Sequence, residues 1–232
     1  MLIDGAAFEG EAERYDALVS REDFKGNIAS LLQEILPPGA VDICDLGTGT
    51  GRLAGLLAGR ARSMCALDRS HQMLTLARRT LRGRLGDHSL LVSVADNRCV
   101  PLATGSCDVL TSGWSVSYLA VWNPATWRAE LDRWLVEALR VVRPGGTVVV
   151  IESLGTGNEA PIRLEHLENV YAWLDEQGFR ETWIRTDYQF HSVEEAAALI
   201  GHYFGEDLKK RVQREHLQRF PECTGVWWKS AG

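Results

Sequence analysis

The chain has few of the residues that build metal or disulfide sites. Of its 232 residues, five are cysteine and six are histidine. The sequence contains no C-x-x-C pair and no H-E-x-x-H spacing, which are the usual marks of a metal or redox site. We therefore predict buried free thiols and no bound metal. The cysteines stand in or beside apolar runs, at Cys44, Cys65, Cys99, Cys107 and Cys223.

The chain also lacks an excess of positive charge and any long apolar run. Its 25 Lys and Arg residues against 31 Asp and Glu residues give a net charge of -6, which disfavours a nucleic-acid partner. No apolar run reaches the ~18 residues of a membrane span. The opening "MLIDGAAFEGEAERYD" carries acids where a signal peptide has basic residues. We expect a cytoplasmic protein with no membrane partner.

From residue 41 onward, short apolar runs alternate with amphipathic helical patterns. The runs fit strands that are buried on both faces, and the longest helical face extends from Trp127 to Val142. "RPGG", residues 143–146, is expected to turn that helix into the fifth run. The alternation predicts an α/β fold with a doubly wound, mostly parallel seven-stranded sheet and helices on both faces. The five runs are Val41–Leu46, Ser63–Leu67, Ser89–Val94, Asp108–Thr111 and Thr147–Ile151.

The flanking segments predict an N-terminal helical cap and an antiparallel C-terminal edge. Ser20 and Asp23 resemble the start of a capping box for a helix whose first apolar residue is Phe24. Two strand-like segments near the end of the chain are expected to pair antiparallel at the sheet edge. The C-terminal part reads as a helix over Leu164–Leu174, the strand-like "FRETWIRTDYQF", two short helices around Phe204–Gly205, and the strand-like "CTGVWW".

The length and the absence of a linker favour one domain. We expect a single domain over residues 1–232, in which 1–36 form a helical arm and 37–152 form the ligand-binding core. Residues 153–232 are then expected to supply the edge strands of the sheet and the helices on the side where a second molecule would meet the bound ligand.

The stretch "VDICDLGTGTGRLA", residues 41–54, joins a strand to a helix through three glycines. Such a loop brings backbone N–H groups and a helix N-terminus close to a ligand. A P-loop would need a lysine after the glycines, and none follows them. A dinucleotide loop would need a third small residue, where this chain has Arg52. The pattern therefore favours a nucleoside ligand without a pyrophosphate.

Four motifs together resemble those of the class I, Rossmann-like S-adenosylmethionine-dependent methyltransferases of small molecules. They are "DLGTGTG", "ALDRSHQMLTLAR", "VADNRCVPLATGSCDVLTSG" and "LRVVRPGGTVVVIE", and they extend over about Ile35–Glu152. The resemblance implies that the chain binds S-adenosyl-L-methionine and releases S-adenosyl-L-homocysteine. It also implies direct methyl transfer to a small molecule, with no obligate catalytic residue.

The resemblance and the chemistry of the side chains indicate one set of cofactor-binding residues. Asp68 ends the second strand, where a carboxylate can accept both ribose hydroxyls, although it could instead be a helix cap, a place that Ser70 could also fill. Asp96 suits the exocyclic amine of adenine. Met73 is either an adenine contact or a core residue. The full set is Tyr15, Asp45, Gly47, Thr48, Gly49, Asp68, Arg69, Met73, Asp96, Asn97 and Gly113.

The methyl acceptor is the least defined part of the prediction. The segment "SGWSVSYLAVWNP" lacks the [DNS]-P-P-[YFW] motif of similar enzymes that methylate base amines or glutamine amides. Its Trp114, Tyr118 and Trp122 predict an apolar or aromatic small-molecule acceptor, or else the packing of one helical face. His191 is either a base beside the acceptor or an exposed histidine. The oligomeric state is not predicted.

Two other functions remain open from the residues alone. A catalytically silent subunit could bind S-adenosylmethionine for regulation, because binding residues do not reveal turnover. An aminopropyl transferase could use the same glycine loop, although the segment after the fourth strand has no evident acidic polyamine motif.

The glycine loop generates a prediction about ligand choice. S-adenosylmethionine and S-adenosylhomocysteine should bind with micromolar-range affinity, while NAD and ATP bind far more weakly. The physical reason is that the loop lacks both the third dinucleotide glycine and the P-loop lysine. Calorimetric titration of the four ligands measures this order, and tighter binding of NAD would contradict it.

Overall fold

The computed structural model describes residues 11–85 and 89–232, so the first ten residues of the predicted N-terminal arm lie outside the described residues. The strands are β1 (Val41–Leu46), β2 (Ala61–Asp68), β3 (Leu90–Val94), β4 (Cys107–Gly113), β5 (Val142–Thr156), β6 (Arg180–Arg185), β7 (Tyr188–Gln189), β8 (Arg219–Phe220) and β9 (Glu222–Ser230). The α-helices are α1 (Ala12–Val19), α2 (Asn27–Ile35), α3 (Arg52–Leu57), α4 (His71–Arg82), α5 (Val116–Val121), α6 (Trp127–Val141), α7 (Glu168–Glu176), α8 (Val193–Phe204) and α9 (Glu206–Arg214). None of these helices combines the length and the apolar character needed to cross a bilayer.

In the described part of the chain, seven strands form one sheet in the order β3-β2-β1-β4-β5-β9-β6. The pairs from β3 to β5 are parallel, whereas β9 runs antiparallel to both β5 and β6. The predicted mostly parallel sheet with an antiparallel C-terminal edge is therefore confirmed. Because the strand order reverses between β1 and β4, the carboxyl ends of these two strands open a crevice.

Helices cover both faces of the sheet, as predicted. Along β5, Val148 and Val150 pack with residues of α5, α6 and α7, while Val149 and Ile151 pack with residues of α2, α3 and α4. Successive side chains of a strand point to opposite faces. The uninterrupted apolar run of β5 therefore belongs to two separate clusters, one on each face.

A third apolar cluster joins the beginning of the described chain to its C-terminal part. It contains Leu18 of α1, Ile200 of α8 and Phe220 of β8. The strands β7 and β8 pair with each other outside the main sheet. Tyr15 of α1 packs edge-on against Tyr203 of α8, with ring centroids 6.2 Å apart. Helix α1 therefore links the C-terminal helices to the core.

The second helix begins later than the capping pattern predicts. Helix α2 starts at Asn27, and Phe24 lies in the preceding turn with 44% of its surface exposed. The Asp23 carboxylate accepts hydrogen bonds from the backbone N–H of Asn27 at 2.8 Å and of Ile28 at 2.9 Å. Asp23 therefore caps the helix from four residues upstream, with its own φ at 57°. The expected start at Phe24 is wrong for this reason.

Two predicted strand boundaries also differ. "FRETWIRTDYQF" forms two strands, because β6 pairs with β9 and β7 pairs with β8. "RPGG" lies inside β5, since α6 ends at Val141 and Val142 already pairs with Cys107. Within this segment Gly145 has a φ of 79° and donates its N–H to the Ala231 carbonyl at 2.8 Å. The glycines therefore lie in an irregular first part of β5, and no separate turn joins α6 to this strand.

All five cysteines are free thiols. Cys44, Cys107 and Cys223 are buried, and Cys65 is partly buried. Cys99 is exposed, because it follows β3 in a turn bridged to Asp96. The prediction of buried thiols is therefore wrong for Cys99.

The packing of α6 against α7 generates a stability prediction. Trp173 of α7 is fully buried, meets the ring of Trp134 edge-on at 6.3 Å and donates Nε1–H to Asp132 at 2.8 Å. Trp173→Ala should lower the free energy of unfolding by about 3–5 kcal/mol, as expected for an emptied core site. The control Trp183→Ala removes a side chain that is 45% exposed and should cost less than about 1 kcal/mol. Urea unfolding of both variants measures the difference, and equal losses would contradict the packing.

Candidate functional site

The loop after β1 turns at three glycines that have left-handed backbone. Gly47, Gly49 and Gly51 have φ values of 71°, 56° and 85°, a region that side chains other than glycine seldom adopt. A Cβ atom on Gly47 would lie 1.9 Å from Ser115 Oγ. On Gly51 it would lie 3.1 Å from the Ala77 backbone. The chain after β4 and helix α4 therefore pack against the loop too closely for any other residue.

Asp45, the last-but-one residue of β1, links this loop to β4, which lies beside β1 in the sheet. Its carboxylate accepts hydrogen bonds from Thr48 Oγ1 and from Thr111 Oγ1, both at 2.6 Å. The side chain is buried, and burial raises the pKa of Asp45 to about 6. Because both carboxylate oxygens already accept hydrogen bonds from threonine hydroxyls, Asp45 fixes the conformation of the glycine loop through contacts within the protein.

Asp68, at the end of β2, also contacts the glycine loop. Its carboxylate accepts hydrogen bonds from the backbone N–H of Gly49 at 2.9 Å and of Ser70 at 2.8 Å. Ser70 is the residue that caps α4, since its hydroxyl accepts from Met73 N–H at 3.4 Å. Ser70, rather than Asp68, therefore occupies the N-cap position of α4. Burial raises the pKa of Asp68.

Asp96, after β3, is held by an arginine that the sequence did not single out. Its carboxylate accepts from the backbone N–H and Nε of Arg98 at 2.9 and 2.8 Å and from Nη2 at 2.5 Å. These hydrogen bonds lower the pKa of Asp96 to about 2. Arg98 also donates to Glu130 at 2.6 Å. A carboxylate has about four lone-pair sites, so Asp96 keeps acceptor capacity for one further donor.

One cavity collects all eleven predicted cofactor residues. It lies at the carboxyl ends of β1, β2 and β4 and comprises about 1070 Å³ of space, part of which is open to solvent. Met73 is buried, yet it lines the cavity, so core packing and ligand contact are compatible at this position. We call this space the first cavity. From the predicted set, its wall includes Tyr15, Asp45, Gly47, Thr48, Gly49, Asp68, Arg69, Met73, Asp96, Asn97 and Gly113.

The aromatic residues after β4 both pack together and line the first cavity. The rings of Tyr118 and Trp122 lie 4.7 Å apart, and the Arg69 guanidinium lies 5.4 Å from the Trp122 ring. Trp114 has an unusual φ of 49° and lies under the Arg52 guanidinium at 4.8 Å. Packing and ligand contact are therefore compatible for these aromatics, and the ligand contact stays a prediction.

A second cavity of about 900 Å³ adjoins the first. The residues common to both walls are Tyr15, Val19, Arg52, Trp114 and Tyr118. Tyr118 and Trp114 of the predicted acceptor side therefore line both cavities. His191 is exposed and is absent from the lining of either cavity, so we do not retain it as an acceptor-side residue.

The second cavity contains three buried acids that sequence reasoning missed. Glu22 accepts from Arg52 Nη1 at 2.6 Å. Glu152 accepts from the N–H and hydroxyl of Ser117 at 2.8 and 2.9 Å. Glu222 accepts from Ser153 Oγ at 2.6 Å. Burial raises the pKa of all three, that of Glu152 to about 7.

The sequence carried a signal for two of these acids. Glu152 ends the apolar run of β5, and Glu222 begins the apolar strand β9. A charged residue in such a run is unusual unless it has a partner or a function. Among the described residues, no group of three or more His, Cys, Asp or Glu side chains is arranged to hold a metal ion.

Part of the chain matches a known family model and several known proteins. Residues 44–150 match the family model described as a methyltransferase domain. A malonyl-[acyl-carrier protein] O-methyltransferase of Marinomonas sp. is 31% identical over 175 residues, which cover 72% of this chain and 59% of that protein. A demethylmenaquinone methyltransferase of Desulfitobacterium hafniense is 28% identical over 151 residues, covering 62% and 56%. The chain thus spans somewhat more than half the length of these relatives.

A solved structure shows the same fold. A S-adenosylmethionine-dependent methyltransferase from Aquifex aeolicus superposes with a TM-score of 0.58, and the match covers 98% of each chain. The sequence identity is 15%, so this likeness concerns the fold alone.

The burial of Glu152 generates a prediction about stability and pH. Its pKa is about 7 in the folded protein against an ordinary 4.5, so the folded state binds the proton more tightly than the unfolded state. The stabilisation is complete below pH 4.5 and is lost as the pH rises through 7. Relative to Glu152→Gln, the wild type should therefore lose about 3 kcal/mol of unfolding free energy between pH 4 and pH 8.

Urea unfolding of both proteins across this range gives the difference. Glu34→Gln, at an exposed position of α2, serves as the control and should show no such trend. A difference between wild type and Glu152→Gln that does not vary with pH would contradict the buried, titrating carboxyl.

Proposed function

Because the chain carries a methyltransferase domain of the class I, S-adenosylmethionine-dependent family, we propose that it transfers a methyl group to a small molecule held in the second cavity. The observation that supports this most directly is the pair of adjoining cavities. The first has the residues for the methyl donor. The second, which shares Trp114 and Tyr118 with the first, has a wall of aromatic and acidic side chains that could hold an acceptor.

The donor set of the first cavity fits S-adenosylmethionine. Asp68 would accept hydrogen bonds from the ribose hydroxyls, and Asp96 would use its remaining acceptor site for the adenine amine. A Cβ atom on Gly49 would have Tyr15 as its nearest neighbour, at 3.8 Å, so the bare backbone of Gly49 leaves space for a ligand beneath Tyr15. Met73 would lie on the adenine face.

The proposed chemistry needs positioning more than a covalent intermediate. When bound, S-adenosylmethionine supplies an activated methyl group on a sulfonium, which a correctly placed nucleophile can displace directly. The chain's contribution is to hold the acceptor beside Trp114 and to cover it with α1 and α8. Tyr15 and Tyr203, from these helices, both line the second cavity. This cover would exclude water from the reacting atoms.

The relatives act on different acceptors. By their names, one methylates a malonyl group on an acyl carrier protein and another a demethylmenaquinone. We propose a small-molecule acceptor for this chain without assigning either of these. Incubation with labelled S-adenosylmethionine and a panel of phenols, amines and carboxylates tests the proposal. Labelled methyl product supports it. Cofactor binding without any product would indicate a silent binding subunit, and aminopropyl product from the decarboxylated cofactor would indicate the other alternative.

The contact proposed for Asp68 gives a specific test. Asp68→Ala should weaken S-adenosylhomocysteine binding by about 1.5–3 kcal/mol, because it removes charge-assisted hydrogen bonds to the ribose. Helix α4 should keep its cap, since Ser70 rather than Asp68 provides it, but the melting temperature should fall because the N–H groups of Gly49 and Ser70 lose their acceptor. Calorimetry and thermal unfolding on one preparation give both values.

The matched control for Asp68 is Asp207→Ala, at a fully exposed position of α9. This variant should bind S-adenosylhomocysteine like the wild type. Normal binding by Asp68→Ala would mean that Asp68 only supports the glycine loop.

A further inference from the structure

We propose that the acceptor is a small molecule with a protonated amine, which the second cavity binds through the carboxylates of Glu22 and Glu222 and the surrounding aromatic rings. This inference rests on the proposed function, because it assigns the acceptor class of the same site.

Four buried polar atoms in the wall of the second cavity have no hydrogen-bond partner within residues 11–85 and 89–232. They are Glu22 Oε1, Arg52 Nη2, Tyr203 OH and Glu222 Oε2. Glu22, Tyr203 and Glu222 are 8%, 5% and 2% exposed. Buried polar groups are nearly always paired, so the three oxygen atoms indicate a ligand that brings hydrogen-bond donors, whereas Arg52 Nη2 is itself a donor and would gain no partner from an ammonium group. An ammonium group has up to three N–H donors, which suit two carboxylate oxygens and one hydroxyl.

The charges that line the second cavity favour a cation. Arg52 is the one arginine or lysine among the described lining residues, and its charge is already matched by Glu22 at 2.6 Å. His166 also lines the cavity, but burial lowers its pKa, so at neutral pH it is uncharged. The oxygens of Glu152 are both used by Ser117. Glu222 is left without a cationic partner.

The groups around the Glu222 side chain favour the binding of a positively charged ligand beside it. The side chains that donate hydrogen bonds to it are the neutral hydroxyls of Ser153, at 2.6 Å, and Thr156. Burial and the nearby charge of Glu22 raise the pKa of Glu222 to about 8, so without a cation beside it this side chain is largely protonated at pH 7. A bound ammonium would offset both effects. An anionic acceptor would face Glu22 and Glu222 with no free cation except the second amino group of Arg52.

Aromatic side chains form much of the remaining wall. Six of them line the cavity: Tyr15, Trp114, Tyr118, Tyr188, Tyr203 and Phe204. Aromatic faces attract cations, and the attraction is greater where water is excluded. Trp114 already makes this contact with the Arg52 guanidinium. Carboxylates combined with aromatic rings recognise an ammonium group better than a neutral hydroxyl or an anion.

Matched probes test the charge of the acceptor. The protein is first saturated with S-adenosylhomocysteine, and its binding is measured by calorimetry. Three probe pairs of similar size are then titrated at pH 7, namely 2-phenylethylamine against 3-phenylpropanoate, tryptamine against indole-3-propanoate, and hexylamine against heptanoate. In at least one pair the amine should bind about tenfold more tightly or better, and in no pair should the carboxylate be preferred. Any other result, including no amine binding, overturns the inference.

Substitutions test whether Glu222 and Tyr203 bind the amine. Glu222→Gln should weaken the preferred amine about tenfold or more, and the exposed control Glu34→Gln should not. Tyr203→Phe should give a smaller loss while keeping the aromatic ring. Unchanged amine affinity in both Glu222→Gln and Tyr203→Phe would overturn the assignment, and the wild-type comparison decides even where Glu222→Gln does not fold.

The two proposals can fail separately. A protein that does not bind S-adenosylhomocysteine in the first step refutes the proposed function itself. A protein that binds it but prefers the carboxylate probes refutes only the acceptor class.

Discussion

The hydrogen bonds to the buried carboxylate of Asp45 are the contacts on which both cavities depend. Thr48 of the glycine loop and Thr111 of β4 each donate to it at 2.6 Å, so one side chain joins the two strands at the reversal of the strand order. The loop is thereby held against Ser115, where only glycine fits at position 47. Trp114, which lines both cavities, immediately precedes Ser115. The hydrogen bonds of Asp45 therefore help to fix the glycine loop of the first cavity and the position of a residue that lines the second.

The core of the fold could be predicted because its signals are local. The central parallel strands β1, β4 and β5 are largely buried on both faces, so an apolar run marks each of them in the sequence; the edge strand β3 is partly exposed. The glycine motif likewise marks a turn whose backbone geometry few other residues permit. The boundaries were less predictable where one side chain sets them. The start of α2 depends on Asp23, whose left-handed φ of 57° aims its carboxylate at residues 27 and 28, and no periodicity reveals that angle.

The second cavity could not be assembled from the sequence, since its polar groups come from distant segments. Glu22 follows α1, Arg52 begins α3, and Glu222 begins β9. Arg52 drew notice only because it occupies the place of a dinucleotide glycine, whereas in the structure it pairs with Glu22 and covers Trp114. His191 was considered for its chemistry alone. In the structure it is exposed, and it is absent from the lining of both cavities.

The position of β9 couples the C-terminal edge of the sheet to the second cavity. Strand β9 lies between β5 and β6, so β6 joins the sheet only through a strand that follows it by more than thirty residues. Pairing segments this far apart closes a long loop, which costs conformational entropy. Glu222 is the first residue of β9. A chain in which β9 is unpaired would therefore lack both the attachment of the outermost strand and one of the three acids of the second cavity.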